Sequence, residues 1–296
     1  MSDLKSLGGA WLQSMRPHTL TAGLSPVLVG SALAYHAGAF LWVPALLCLG
    51  VAVLAQIASN FANDYYDYAK GADGDGRLGI NRGVMRGLIS PKAMLRAALL
   101  TLALACLCGL GLLFYGEWWL LLVGVAIALA VLAYSAGPFP LSYKGLGDVS
   151  VLVFYGIIPV CFTYYVQVGS FSRLAFECSV ALGLVAVNIL LVNNYRDYAE
   201  DKASGKRTTI VRFGRAVAPW AYLLDGLVAF ALSILSFWSM DLPKVVWGLW
   251  AVMTVLFVFL WKKMCDTDGA ALNKVLGQTA LFVFLFALLQ TLSLLL

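Results

Sequence analysis

The chain has 296 residues, 61% of them hydrophobic and only 12% charged, with a formal net charge of +5. That is about half the charged fraction of a soluble domain, so water cannot be its main solvent. Nucleic acid is excluded as a partner, because the surplus of positive charge follows from loop orientation. The six cysteines are scattered through mostly apolar runs without CxxC spacing, and are expected to be small core residues, neither ligands nor disulfides. His18 and His36 stand apart, which leaves no histidine-based metal or haem site.

In chain order, a segment bearing Lys5 and Arg16 precedes Pro17 and is expected to remain as a cytoplasmic tail. Apolar runs long enough to cross about 30 Å of hydrocarbon as helices then recur to the C-terminus. They predict nine transmembrane helices, near 17–35, 41–62, 94–114, 118–134, 149–168, 176–192, 217–238, 245–261 and 275–295. The fold class is therefore an all-α polytopic membrane protein, a single domain over residues 1–296. With the N-terminus in the cytoplasm, 18 of the 20 Lys and Arg fall on the cytoplasmic side, and only Arg173 and Lys244 fall outside. A missed helix would mix the charges, so the asymmetry supports both the count and an outward C-terminus.

Outward connections are short, whereas two cytoplasmic loops, 63–91 and 193–216, hold most of the charge, so chemistry is expected on the cytoplasmic face. The two loops share a repeat. Asn63-Asp64-Tyr65-Tyr66-Asp67-Tyr68-Ala69 matches Asn193-Asn194-Tyr195-Arg196-Asp197-Tyr198-Ala199 at five of seven positions, 130 residues apart. Each copy ends a helix, the second and the sixth, which suggests a parallel duplication of helices 1–4 as 5–8 with a ninth appended.

If the second helix continues through its motif, Asn60, Asp64 and Asp67 at i, i+4 and i+7 share one face, with Asn63 and Asp67 a neighbouring pair. In the second copy Asn193, Asp197 and Asp201 follow one another at intervals of four. Clustered carboxylates that lose hydration at a membrane boundary call for a compensating cation, and oxygen ligands point to Mg2+. Two such clusters suit two ions around one diphosphate. Taken singly, such acids are also ordinary in solvated loops; repetition at equivalent helix ends is what favours the metal reading. Arg77, Arg82, Arg86, Lys202, Lys206 and Arg207 are candidates to neutralise a diphosphate, although each also serves the positive-inside signal. Tyr65, Tyr66, Tyr68, Tyr195 and Tyr198 offer π faces to a developing cation, a role that competes with ordinary interfacial placement. Asp225 lies about 12 Å along the seventh span, where a carboxyl is either functional or bonded to a neighbouring helix.

Through its paired Asn/Asp-rich motifs the chain resembles the UbiA superfamily of intramembrane aromatic prenyltransferases over nearly its whole length. Segments 60–67, 137–148 and 193–197, together with Arg16-Pro17 and the run 205–214, are most similar to members that act on a dihydroxynaphthoate in quinone biosynthesis. The resemblance implies that Asp64, Asp67, Asp197 and Asp201 hold Mg2+ around a polyprenyl diphosphate, and that an opening to the lipid bilayer admits its tail. It also implies an aromatic quinone precursor as acceptor and a bacterial inner-membrane location. Two departures stand out: Gly71 occupies the family's third Asp position, with Asp73 two residues later, and Pro140 stands where a Tyr four residues before Lys144 is usual. Tyr143 and Lys144 are the candidate substrate contacts there.

The expected chemistry is electrostatic: cations stabilise the diphosphate as the allylic C–O bond breaks, and an apolar chamber excludes water. Within the family, transfer to 4-hydroxybenzoate is the alternative. A cation-coupled transporter would place its acids near the midplane instead of beside many Arg and Lys. The Asp-Gly-x-x-Ala-Arg run of CDP-alcohol phosphotransferases is absent.

Overall fold

The structure, a computed structural model, describes residues 7–70, 83–137 and 140–296, without the side chain of His18. It is helical throughout, with no strand among the described residues. A short helix α1 (Leu7–Met15) leads into α2 (Pro17–His36), whose first position is the proline that cannot donate to a preceding turn. Then come α3 (Trp42–Ala69), α4 (Pro91–Gly111) and α5 (Leu120–Ala133). Ser90 caps α4 by accepting the Ala93 N–H, with Pro91 at the first helical position. The next span is α6 (Gly147–Leu152) joined to α7 (Ile158–Val168) through a π turn at Val153–Ile157. It is followed by α8 (Arg173–Arg196), the short α9 (Tyr198–Ala203) and α10 (Thr209–Phe213), and the long α11 (Val217–Phe237), α12 (Lys244–Cys265) and α13 (Leu272–Leu295).

All nine predicted spans fall on helices. Seven are long and apolar enough to cross a membrane: α3, α4, α6–α7, α8, α11, α12 and α13. The exceptions have physical causes. α5 has only 14 residues, and α2, though 20 residues long, carries Thr19, Thr21, Ser25 and Ser31. The segment expected to be a tail is helical as α1, docked through Trp11 edge-on against Phe61 of α3. Of the cysteines, Cys48, Cys161 and Cys178 are buried, but Cys106 and Cys265 sit on the outer surface, and all six are free.

The charged loops gather at one end of the bundle. There Arg196 at the end of α8 donates to Asn273 of α13 (2.6 Å), and Arg215, just before α11, pairs with Asp268 between α12 and α13. At the other end the Leu41 N–H donates to Gln167 (3.0 Å), Ser236 donates to Glu177 (2.8 Å), and His36 Nδ1 lies 3.0 Å from the Leu294 carbonyl.

Helix α8 is the hub, with 67% of its apolar window buried against 50% or less for the other spans. Polar side chains tie the core. Gln290 donates to Ser233 (3.2 Å) and the Cys178 carbonyl (3.3 Å), and Trp250 Nε1 donates to Ser293 (3.1 Å). The π turn lies against α8 at its closest backbone approach. A Cβ on Gly156 would stand 2.5 Å from the Gly183 Cα, so both positions demand glycine. Helices pack in succession from α2 to α5 and from α7 through α13 back to α2, and α7 also leans on α2 and α3. No comparable packing joins α5 to α6 among the described residues. The bundle is closed at the uncharged end and parted on one side.

Candidate active site

Inside the bundle is a cavity of about 380 Å³ whose charged end receives both Asn/Asp motifs. Helix α3 does continue to Ala69, so Asn60, Asp64 and Asp67 line one wall, with Asn63 beside them. Asp64 is fully buried, and its Oδ1 accepts a hydrogen bond from Arg16 Nη2 at 2.7 Å. Arg16 sits between α1 and α2 with φ 53°, the only described non-glycine residue with a positive φ. That backbone costs about 1 kcal/mol or more and is held by the Pro17 helix start and the Asp64 pair. Asn60 ties this corner together: its Nδ2 donates to the Met15 carbonyl (2.9 Å), and its Oδ1 accepts from Gln56 (3.3 Å).

The second motif folds differently. Helix α8 ends at Arg196, and Asp197 (φ −92°, ψ 12°) is a junction before α9. The Asp201 N–H still reaches the Asp197 carbonyl (2.8 Å), yet the two carboxylates part at this junction. Asp201 lines the cavity. Asp197 is 2% exposed, stands behind the cavity wall, and accepts from Arg196 at both oxygens, Nε to Oδ1 and Nη2 to Oδ2, each at 2.7 Å. Arg196 also donates to Asn193 Oδ1 at 2.8 Å, fixing that amide on the wall.

Lys206 joins the two motifs. Its ammonium lies 3.8 Å from Asp67 Oδ2, 3.6 Å from Asp201 Oδ1 and 4.8 Å from the centre of the Tyr143 ring. The Tyr143 hydroxyl donates to Asp67 Oδ1 at 2.9 Å, so this residue acts on the first motif. Lys70 lies 4.4 Å from the centre of the same ring and donates to the Ser135 carbonyl (2.7 Å). Loss of hydration at the end of α3 pulls the Lys70 ammonium below the usual lysine range; Asp67 opposes this and Lys206 adds to it.

The other candidates are placed as follows. Arg77, Arg82 and Asp73 lie outside the described residues. Arg86, Lys202 and Arg207 are exposed: Arg86 reaches Gln13 of α1 (3.4 Å), Lys202 lies 5.9 Å from the centre of the Tyr198 ring, and the Arg207 N–H donates to the Tyr143 carbonyl (2.9 Å). Tyr65 stacks edge-on with Tyr66 beside α1 and α4, Tyr68 is exposed, and Tyr195 is in the core beneath Arg215; none lines the cavity. The Lys144 carbonyl accepts from Arg212 (2.6 Å), and its side chain is not part of the wall. Asp225 on α11 is half-buried and also off the cavity. The structure adds Arg16, Gln56, Tyr134, Tyr155 and Asp148 to the wall. Gln56, inside an otherwise apolar run and hydrogen-bonded to the Tyr155 hydroxyl, carried the clearest signal in the sequence.

The sequence pattern of the UbiA prenyltransferase family matches residues 23–292. The chain belongs to the UbiA prenyltransferase family. It is 40% identical over 246 residues to the 1,4-dihydroxy-2-naphthoate octaprenyltransferase of Escherichia coli (strain K12), covering 78% of this chain and 79% of the relative. The protein of that name from Haemophilus influenzae is 33% identical over 304 positions, covering 96% and 95%. The fold matches a UbiA homolog from Archaeoglobus fulgidus solved with GPP and Mg2+ (TM-score 0.71, 18% identity, 97% and 100% covered). The same homolog solved with DMAPP and Mg2+ gives a TM-score of 0.70 at 18% identity, covering 96% and 98%. This UbiA-family chain is thus an aromatic prenyltransferase of the membrane.

Proposed function

We propose that this protein transfers a polyprenyl group from its diphosphate to 1,4-dihydroxy-2-naphthoate, releasing pyrophosphate and CO2 and leaving a demethylmenaquinol. The observation that carries the reading is the meeting of both Asp motifs and Lys206 at the charged end of an otherwise apolar cavity parted between α5 and α6. The acceptor is assigned from the relatives that bear that name at up to 40% identity.

The donor set fits Mg2+. Asp64, Asp67, Asp201, Asn60, Asn63 and Asn193 offer hard oxygen atoms on one cavity. Among the described residues no three carboxylates, histidines or cysteines stand close enough to hold a metal alone. That suits an ion bound by one or two carboxylates and completed by substrate oxygens and water, two ions being needed to serve both motifs. When bound, Mg2+ supplies the positive charge that stabilises pyrophosphate as a leaving group. Arg16 and Lys206 add cationic charge at the same pole, and Asp197 holds Arg196 and Asn193 in place behind it. Apolar walls, including Val123, Ile127, Phe154 and Ile158, keep water from the allylic carbon, and Tyr134 and Tyr155 are the nearby aromatic groups available to its positive charge. The sorting of charge to this pole supports a cytoplasmic site and N-terminus, and the repeated motif supports nine spans built from a duplicated four-helix unit plus α13.

The test is chemical. Carboxyl-labelled dihydroxynaphthoate, incubated with a polyprenyl diphosphate, Mg2+ and the purified protein, is expected to release one labelled CO2 per pyrophosphate. A prenylated product that keeps its label, or transfer to 4-hydroxybenzoate alone, would falsify the assignment.

A further inference from the structure

On the wall beside the Asp motifs is a polar patch that the donor chemistry leaves unused. Asp148, in the first turn of α6, lines the cavity, and its Oδ1 is buried with no hydrogen-bond partner among the described residues. Thr209, at the start of α10, reaches the same carboxylate and lines the cavity too. Both are built onto the diphosphate pole. Asp148 comes five residues after Tyr143, which bonds Asp67, and Thr209 three after Lys206, which links Asp67 to Asp201. A buried carboxylate oxygen without a donor is costly, so a donor is expected to arrive with a ligand. The apolar wall from α5 and the π turn suits the prenyl tail, and the Asp148 side suits a flat molecule bearing hydroxyls.

We infer that Asp148, steadied by Thr209, is the acceptor anchor: it accepts a hydrogen bond from the ring hydroxyl next to the carbon that is alkylated. The inference rests on the dihydroxynaphthoate reading above. As the allylic C–O bond breaks, its electron pair leaves with pyrophosphate and the ring carbon bearing the carboxylate bonds to the allylic carbon. The hydroxyl proton passes to Asp148 as that oxygen becomes a carbonyl. The bond to the carboxylate then breaks as CO2 leaves, its electron pair restores the aromatic ring, and the proton returns from Asp148 to the oxygen. Aspartate therefore ends the cycle as it began, and no outside base is consumed.

Asp148→Asn keeps the shape and loses the proton acceptor. The full-length variant, in detergent with Mg2+, is expected to bind a non-hydrolysable thiolo analogue of geranyl diphosphate within about twofold of the parent. Its kcat/KM for dihydroxynaphthoate should fall about a hundredfold or more. Binding gives a readout independent of turnover. The parent should hold dihydroxynaphthoate at least tenfold more tightly than 4-hydroxy-2-naphthoate, which lacks the adjacent hydroxyl, and Asp148→Asn should lose that preference. Thr209→Val should lower kcat/KM three- to tenfold with the fold intact. Unchanged discrimination in Asp148→Asn, or loss of its diphosphate-analogue binding, overturns the inference. A parent enzyme that prenylates only another acceptor overturns the functional reading itself, whatever the variant does.

Discussion

Replacing Lys206 by Met should make the metal-free protein fragile and its stability unusually dependent on Mg2+. The residue is 9% exposed, and its ammonium lies within 3.8 Å of carboxylates from both motifs. At an effective dielectric of about 20, each contact is worth about 4 kcal/mol of Coulomb attraction, which desolvation of the lysine partly cancels. Removing one member of such a buried group and leaving its partners costs about 3–5 kcal/mol. Taking the lower end, the unfolding midpoint should drop by roughly 6–12 °C for a chain of this size. A divalent cation can replace the lost charge, so Mg2+ should recover most of that loss in Lys206→Met and stabilise the parent far less. Thermal unfolding in detergent, followed by tryptophan fluorescence across a Mg2+ titration with EDTA as the zero point, measures both numbers. An equal response of parent and variant to Mg2+ would refute the idea that Lys206 compensates the motifs.

Two further outcomes follow from the same geometry. Asp64→Asn, Asp67→Asn and Asp201→Asn should each lower kcat at least a hundredfold in a Mg2+-dependent turnover assay, while Asp197→Asn, whose carboxylate is bound to Arg196, should lose stability first; equal kinetic losses at all four would show that Asp197 faces the reaction after all. Gly183→Ala places a Cβ 2.8–3.1 Å from Leu152 and Gly156 and should cost about 1–3 kcal/mol by thermal unfolding, whereas Gly248→Ala, which meets nothing within 4 Å, should be silent.

Much of this architecture was legible in the residues, because a bilayer leaves the chain few choices. Apolar runs had to be helices, and Lys and Arg had to collect at one end; Arg196, Lys206 and Arg215 do so. The first motif was readable because α3 runs straight through it, so that spacing gave direction. The second was less so, because α8 gives way to α9 at Asp197 and Arg196 takes both of its carboxylate oxygens, which nothing in Arg196-Asp197-Tyr198 announces. Tyr65, Tyr68 and Tyr195 repeat with the motif, but Tyr65 and Tyr195 point into packing and Tyr68 is exposed, whereas Tyr134, just after α5, and Tyr155, in the π turn, reach the cavity from segments that carry no motif. Arg16 was visible only as part of Arg16-Pro17, since its pairing with Asp64 spans 48 residues and depends on a left-handed backbone.

The parting between α5 and α6 has a consequence for what the enzyme can measure. A closed pocket gauges its guest by length, because each added methylene must fit or clash. Among the described residues no packing between α5 and α6 supplies a wall that would stop a growing chain, and hydrocarbon beyond the gap is solvated by lipid as comfortably as by protein. On the proposed reading the protein would grip the head and have no ruler for the tail. Chain length in the product of the proposed reaction would then follow that of the allylic diphosphate supplied. On the proposed reaction, the same gap would let the prenylated product slide sideways into the bilayer, while pyrophosphate would depart from the charged end into water.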